Sequence, residues 1–294
     1  MSVRDQPPRE PVGISPRVDC VFKAIMGDPS HAHLLMDFLN AVIAPEVPIT
    51  AVEIQNPVHL PDFVGDDFTA VDVQATDASG RTFQVEMQSR NESALKERAL
   101  YTWADIYEGQ LESGQGYNEL KPVIAIWLLD ENTLRNAPHF HHRFLVCDPV
   151  RQVVLTRHLE IHTLELEKWR ANPTSPSAGI TAWMSFFAEA ETWSDLPQAL
   201  RSPTLEEAMA VLQEFNTNAK WNAVYRSRRD GLRRQQTYES VLAKALEDAE
   251  RERAEKERER AEKEHALAEK EQALQELERL RVALKRAGVD PAQD

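Results

Sequence analysis

An α/β fold, with a mixed sheet flanked by helices and an all-helical C-terminal region, is predicted by three features of this 294-residue sequence. The stretch AVDVQATDASGRTFQVEMQS (70–89) alternates apolar and polar residues on both sides of a turn, the period of two half-buried strands. PVIAIWLL (122–129) is a continuous apolar run of strand length, as in a strand covered on both faces. From about Gln236 to Ala287 there is neither Pro nor Gly, and AEKERER, AEKEHAL and AEKEQAL form a seven-residue near-repeat. As one helix that segment would be about 78 Å long.

The elements follow in order. Residues 17–43 read as two helical pieces broken at Gly27-Asp28-Pro29, with apolar stripes through Val21, Phe22, Ile25, Met26 and through Leu34, Leu35, Phe38, Leu39, Val42. Asp28 or Ser30 is placed to cap the second. ITAVEIQNP (49–57) is a short strand ended by Pro57, and the hairpin comes next. Residues 92–114 read as a helix closed by Gly114. HRFLVCD and QVVLTRHLEIHTLEL add two strands. LEKWRANPTSPSAG reads as a linker, and residues 178–230 as helices broken at Pro197 and Pro203, with SPTLEEAMAVLQEF marking a helix start.

The hairpin carries the chemistry. Its odd positions are apolar, so they must meet across the strand pair, which fixes an even register. With 77–81 as the loop, Asp72 lies opposite Glu86, their Cβ atoms about 5 Å apart. Two facing like charges destabilise a sheet unless compensated. A divalent cation is the natural compensation, because Mg²⁺ binds one or two carboxylates plus waters and phosphate oxygens. Gln88, the next residue on that face, can orient a water through its amide. Asp, then Glu-x-Gln on the following strand, reads as a site for metal-assisted phosphodiester cleavage.

Composition narrows the classes. Two cysteines, Cys20 and Cys147, cannot build a disulfide framework, which points to a reducing compartment. No apolar run reaches the length of a membrane span, and the charged, Pro-rich N-terminus is no secretory signal. A cytoplasmic protein with no membrane association is expected. The net charge of −14 argues against bulk electrostatic nucleic-acid binding, though not against a local basic cleft.

At these blocks the sequence resembles the recombination-promoting nuclease/putative transposase family of the PD-(D/E)XK nuclease superfamily. The blocks are SPRVDCVFKAIMG, LLMDFLNAVI, AVDVQATDASGRTFQVEMQ, ERALYTWADIYEGQLESGQGYNELKPVIAIWLLD and LEIHTLELEKW. The resemblance implies a restriction-endonuclease-like αβββαβ core. It also implies a DNA endonuclease of recombination or transposition that depends on Mg²⁺, with Mn²⁺ expected to substitute. Asp72, Glu86 and Gln88 match the family's active-site pattern, and Gln88 stands where the wider superfamily has Lys. The organisation that follows is a leader (1–15), a nuclease-like domain (16–169), a helical region (170–236) and a long charged helix (237–288).

Other residues carry two readings each. Asp19 is either a third metal ligand or a carboxylate favoured by its helix dipole. Arg98 and Tyr101 share a helix face and either contact DNA phosphate or, with Asp105, form an ion-paired surface. Arg228 and Arg229, within YRSRRDGLRRQQ, are either phosphate contacts or a solvated helix face. HFHH (139–142) lacks a second Cys/His pair with finger spacing and reads as strand histidines. In the tail only the last turns, through Leu267, Leu274, Leu277 and Leu284, resemble a coiled coil that would pair two copies. The rival function is a catalytically weak nuclease-fold scaffold acting through that helix.

Overall fold

The structure, a computed structural model, describes residues 10–55, 73–89 and 94–286. The helical pieces of 17–43 are α1 (Asp19–Met26) and α2 (Ala32–Ile43), separated by a single 3₁₀ turn. Asp28 makes that break: its carboxylate accepts from the Ser30 N–H at 2.9 Å and hydroxyl at 2.6 Å. Every residue of α1 from Cys20 to Met26 is buried, so this helix lies inside the molecule.

Six strands form one sheet: β1 (Val52–Ile54), β2 (Val73–Asp77), β3 (Thr82–Gln88), β4 (Val123–Leu129), β5 (His141–Cys147) and β6 (Val154–Glu165). Their order is β1-β2-β3-β4-β6-β5. The β1–β2, β2–β3 and β5–β6 pairs are antiparallel, while β3, β4 and β6 run parallel. All seven residues of β4 are buried, as its unbroken apolar run requires of a central strand.

Helix α3 (Leu95–Glu108) links β3 to β4 and covers one face of the sheet. Its Leu95 and Ala99 pack with Ala125, Trp127, Leu129 and Ile161, and the Trp103 indole donates to the Val123 carbonyl at 2.9 Å. The sequence placed the end of this helix at Gly114. The helix stops instead at Gly109, and the Gln110 amide then bonds both the N–H and the carbonyl of Lys121, turning the chain toward β4.

The second face is the one to which Phe83, Val85, Met87, Ile124, Ile126 and Leu128 belong. Its neighbours include the C-terminal end of α1, where Gly27 lies so close to Val73 that a Cβ would stand 3.3 Å from the Val73 methyl. Helices α4 (Leu166–Ala171), α5 (Ala178–Glu189) and α6 (Pro203–Thr217) extend this layer. Phe22 and Phe38 each stand 5.9 Å from Phe187, and Phe38 stands 5.8 Å from Trp183. The linker read at 166–179 begins as α4, because Trp169 is wholly buried and holds the chain against the fold. Pro203 opens α6 behind the Ser202 cap, as read from the sequence.

The last helix, α7, runs from Ala219 to Arg286. Two compact units divide the chain at Asp230 and Gly231. In the first, Tyr225 is buried and its hydroxyl accepts from the Ser15 N–H at 3.1 Å. In the second, every described residue from Arg233 onward is exposed. Among the described residues no helix is long and apolar enough to cross a membrane.

Candidate active site

The β2–β3 turn is fixed by Asp77. One of its oxygens accepts from the Ser79 N–H (2.9 Å), the Ser79 hydroxyl (2.7 Å) and the Arg81 N–H (3.0 Å). The other meets the Arg81 guanidinium at 2.7 Å. Burial works to raise the Asp77 carboxyl, but these hydrogen bonds and the Arg81 charge outweigh it and hold the carboxyl below its ordinary value. Gly80 takes a left-handed φ of 82°, which the turn demands and L side chains rarely adopt.

The turn sets the register, Val73↔Val85, Gln74↔Gln84 and Ala75↔Phe83, the even register expected from the alternation. Gln74, Gln84, Glu86 and Gln88 therefore share one face, which α3 covers over β4 and β6 while its Arg98 reaches Glu86 on β3. Asp72, expected opposite Glu86, lies outside the described residues.

Glu86 is 2% exposed. Arg98 of α3 donates to its carboxylate at 2.8 Å, and the same guanidinium lies 5.6 Å from the Trp127 ring centroid. Trp127 is the β4 partner of Glu86, so the ion pair rests on an aromatic floor. A buried carboxylate is tolerated only when paired and hydrogen-bonded, and Arg98 supplies that pairing. Gln88 is also buried and closes the same edge, its carbonyl accepting from the Asp130 N–H at 3.0 Å. Tyr101, one turn along α3, is 74% exposed.

Asp19 opens α1. One of its oxygens is 3.8 Å from the Arg228 Nε, while the other is buried with no hydrogen-bond partner. Arg229 lies over the Tyr225 ring, its guanidinium 5.4 Å from the centroid. The basic run read at 225–236 thus divides: Arg228 and Arg229 turn onto the fold, while Arg226 is exposed. The structure brings Glu86, Gln88 and Arg98 together, and it pairs Asp19 with Arg228. Among the described residues no three His, Cys, Asp or Glu side chains converge to hold a metal ion.

Sequence reasoning missed several polar residues inside the fold. Lys23 is 5% exposed within the otherwise apolar Cys20–Met26 part of α1, and the Phe22-Lys23-Ala24-Ile25 run was its signal. On the sheet's second face, the His162 Nε2–H donates to Glu160 at 2.7 Å, and the His141 Nε2 meets the His162 Nδ1 at 2.8 Å. Arg143 contacts the same Glu160 at 2.8 Å. Burial opposes ionisation of Glu160, but hydrogen bonds from His162 and Arg143 bring its carboxyl down to about 2. Burial, with the charges of His162, His142 and Arg143, pushes the His141 imidazole down to about 4. The alternation of Glu160 and His162 in a strand was the available signal. Of the HFHH histidines, His141 and His142 lie on β5, as expected, while His139 precedes the strand and sets its ring near that of His142.

The family model of the PD-(D/E)XK nuclease family transposases matches residues 16–240, and the chain belongs to that family. The mixed sheet flanked by helices is consistent with the PD-(D/E)XK nuclease fold, and the family points to a nuclease function connected with transposition. Among curated proteins and among solved structures nothing matches the chain.

Proposed function

We propose that this member of the PD-(D/E)XK nuclease transposase family is a Mg²⁺-dependent DNA endonuclease acting in recombination or transposition. The observation that carries the reading is the buried Glu86 carboxylate, held by Arg98 on the sheet face it shares with Gln84 and Gln88. PD-(D/E)XK nucleases generally use divalent metals. The donor set fits one: Glu86 and Asp19 offer carboxylate oxygens, one of them unpartnered in Asp19, and oxygen donors suit Mg²⁺ or Mn²⁺. Asp72 and Glu86 would hold the ion, with Asp19 as a third ligand. Such an ion activates water and offsets negative charge on the phosphate.

The chain's own groups do the rest. The Gln88 amide orients the attacking water, a task for which it has both donor and acceptor. Arg98 neutralises Glu86 in the free protein and contacts the scissile phosphate, which a guanidinium can engage through two N–H groups. Exposed Tyr101 flanks the DNA backbone, and Arg228 and Arg229 contact phosphates further along it. Two copies associate through the stripe of Leu267, Leu274, Leu277 and Leu284, all exposed on α7.

Calorimetric titration with Mn²⁺ tests the site. Wild type should show binding that Glu86→Gln loses while keeping its fold, and equal binding by both would remove the metal site. Gln88→Lys should keep or raise cleavage, because an ammonium adds charge near the developing negative charge. The neutral Gln88 also favours a second reading, a catalytically weak scaffold working through α7. On that reading Glu86→Gln keeps the biological function and deletion of 240–294 abolishes it.

A further inference from the structure

Each strand from β3 to β6 carries one buried polar side-chain atom without a hydrogen-bond partner: Gln84 Oε1, Trp127 Nε1, His142 Nδ1 and Thr163 Oγ1. All four belong to the α3 face, and three of them stand in one row. Glu86 pairs with Trp127, Trp127 with Thr163, and Thr163 with His142, each a Cα partner of the next. Three strand steps carry this row about 14–15 Å from Glu86 to the β5 edge. The second face differs, since its Glu160, His162, His141 and Arg143 satisfy one another.

Trp127 is 1% exposed, and a buried indole N–H without a partner calls for an explanation. Ordered water fits the row. Water is the usual partner of otherwise unsatisfied buried polar groups, and it both donates and accepts. The row offers a pure donor in the indole, a hydroxyl that does either, and an imidazole nitrogen that accepts when its Nε2 carries the hydrogen.

Phosphodiester hydrolysis also releases a proton from the attacking water. The Gln88 amide cannot take it up, and Glu86 is engaged by Arg98. We propose that Trp127, Thr163 and His142 line a file of ordered water molecules running from Glu86 to the β5 edge, and that the proton of the attacking water leaves along it to His142. The inference rests on the nuclease reading for the reaction it serves. As the water oxygen bonds to phosphorus, its O–H bond breaks and the leaving oxygen departs with its electron pair, taking a proton from solvent. The released proton passes from water to water, forms an N–H bond at His142 Nδ1, and is surrendered to solvent. Lys168 from α4, Glu165 from β6 and His139 from the chain before β5 face this imidazole. Burial, then the charges of Lys168 and His139, hold it below its ordinary value against Glu165, so at neutral pH it is free to accept.

Two measurements on the full chain test the file. In ¹⁵N-labelled protein, the Trp127 indole N–H, assigned by its loss in Trp127→Phe, should show a cross-peak with water that weakens in Thr163→Val. In single-turnover cleavage with Mg²⁺, Thr163→Val and His142→Gln should each be about tenfold slower at pH 7, with a shifted pH profile. Their Mn²⁺ affinity should match wild type, and imidazole in the buffer should restore His142→Gln. An indole N–H without water contact, or variants with the wild-type rate and pH profile, would overturn the proposal. If wild type cleaves nothing while Trp127 contacts water, the nuclease reading and the proton path fall and only the water file stands.

Discussion

On one face of the sheet Glu86 is paired with Arg98 from α3, and its row neighbours Trp127, Thr163 and His142 each keep a buried polar atom without a protein partner. On the other face Glu160 is clamped by Arg143 and His162, and His162 is bonded in turn to His141. Both glutamates are buried in strands of the same sheet. The difference lies in their neighbours, whose polar atoms are answered within the Glu160 cluster and left unanswered in the Glu86 row. Natural proteins satisfy buried polar groups and break that rule mainly at functional sites. On the proposed function the Glu160 cluster is architecture and the Glu86 face is the place for chemistry.

The comparison breaks first if the second face does not carry stability. Glu160→Ala leaves Arg143 and His162 without their shared partner, and it should destabilise the protein by about 3–5 kcal/mol in denaturant unfolding. Arg98→Met should cost less, on the order of 2 kcal/mol, since water can take the place of the Arg98 side chain, 34% exposed, beside the Glu86 carboxylate. Mn²⁺ should recover much of that loss, with about 2.7 kcal/mol available at a hundred times the dissociation constant. Glu160→Ala should recover nothing with Mn²⁺. Recovery in both variants, or in neither, would erase the distinction between the faces.

Acid sharpens the same contrast. The folded imidazole of His141, at about 4, lies below the usual value of 6.5, so the unfolded chain binds this proton first. Stability from this group is complete above 6.5 and is lost as pH falls from there toward 4. Glu160, at about 2 against an ordinary 4.5, adds stability above 4.5 that is lost as pH falls toward 2. Urea unfolding from pH 7 to 3 should show falling stability for wild type and a flatter upper limb for His141→Asn. Identical slopes would place the acid sensitivity elsewhere.

The smallest effect is expected at the tail. Removing residues 241–294 should leave unfolding of the first unit within about 1 kcal/mol of the full chain, because i,i+4 charge pairs are worth only about 0.2–0.5 kcal/mol each. The pairs Glu252–Lys256 and Glu247–Arg251 are of this kind. A large drop in the calorimetric midpoint would mean that the tail supports the first unit.

Much of this was legible in the sequence where one local rule decides the outcome. The period-2 pattern with Asp77 and Gly80 set the hairpin register and put Glu86 and Gln88 on one face. The unbroken apolar run named β4 as central, and Asp28 marked the break before α2. Tertiary contacts were not legible. Nothing local distinguishes Glu160, clamped by Arg143 across a strand pair, from a solvated glutamate. Trp169 looked like part of a linker because burial depends on what folds over it. The end of α3 moved to Gly109 because Gln110 bonds Lys121, eleven residues along the chain. At the site, Arg98 was read as a phosphate contact or as part of a surface ion pair on its own helix. The pairing with buried Glu86 was not anticipated, because it joins a helix to a strand.

The central claim is that the α3 face of the sheet cleaves DNA through Glu86. Its most direct test is conversion of supercoiled plasmid by wild type and Glu86→Gln in Mg²⁺, Mn²⁺, Ca²⁺ and EDTA. The account predicts nicked or linear product with wild type in Mg²⁺ and Mn²⁺ and none in EDTA, and a loss of about a hundredfold or more in Glu86→Gln. Cleavage by Glu86→Gln at the wild-type rate, or by wild type in EDTA, would contradict it.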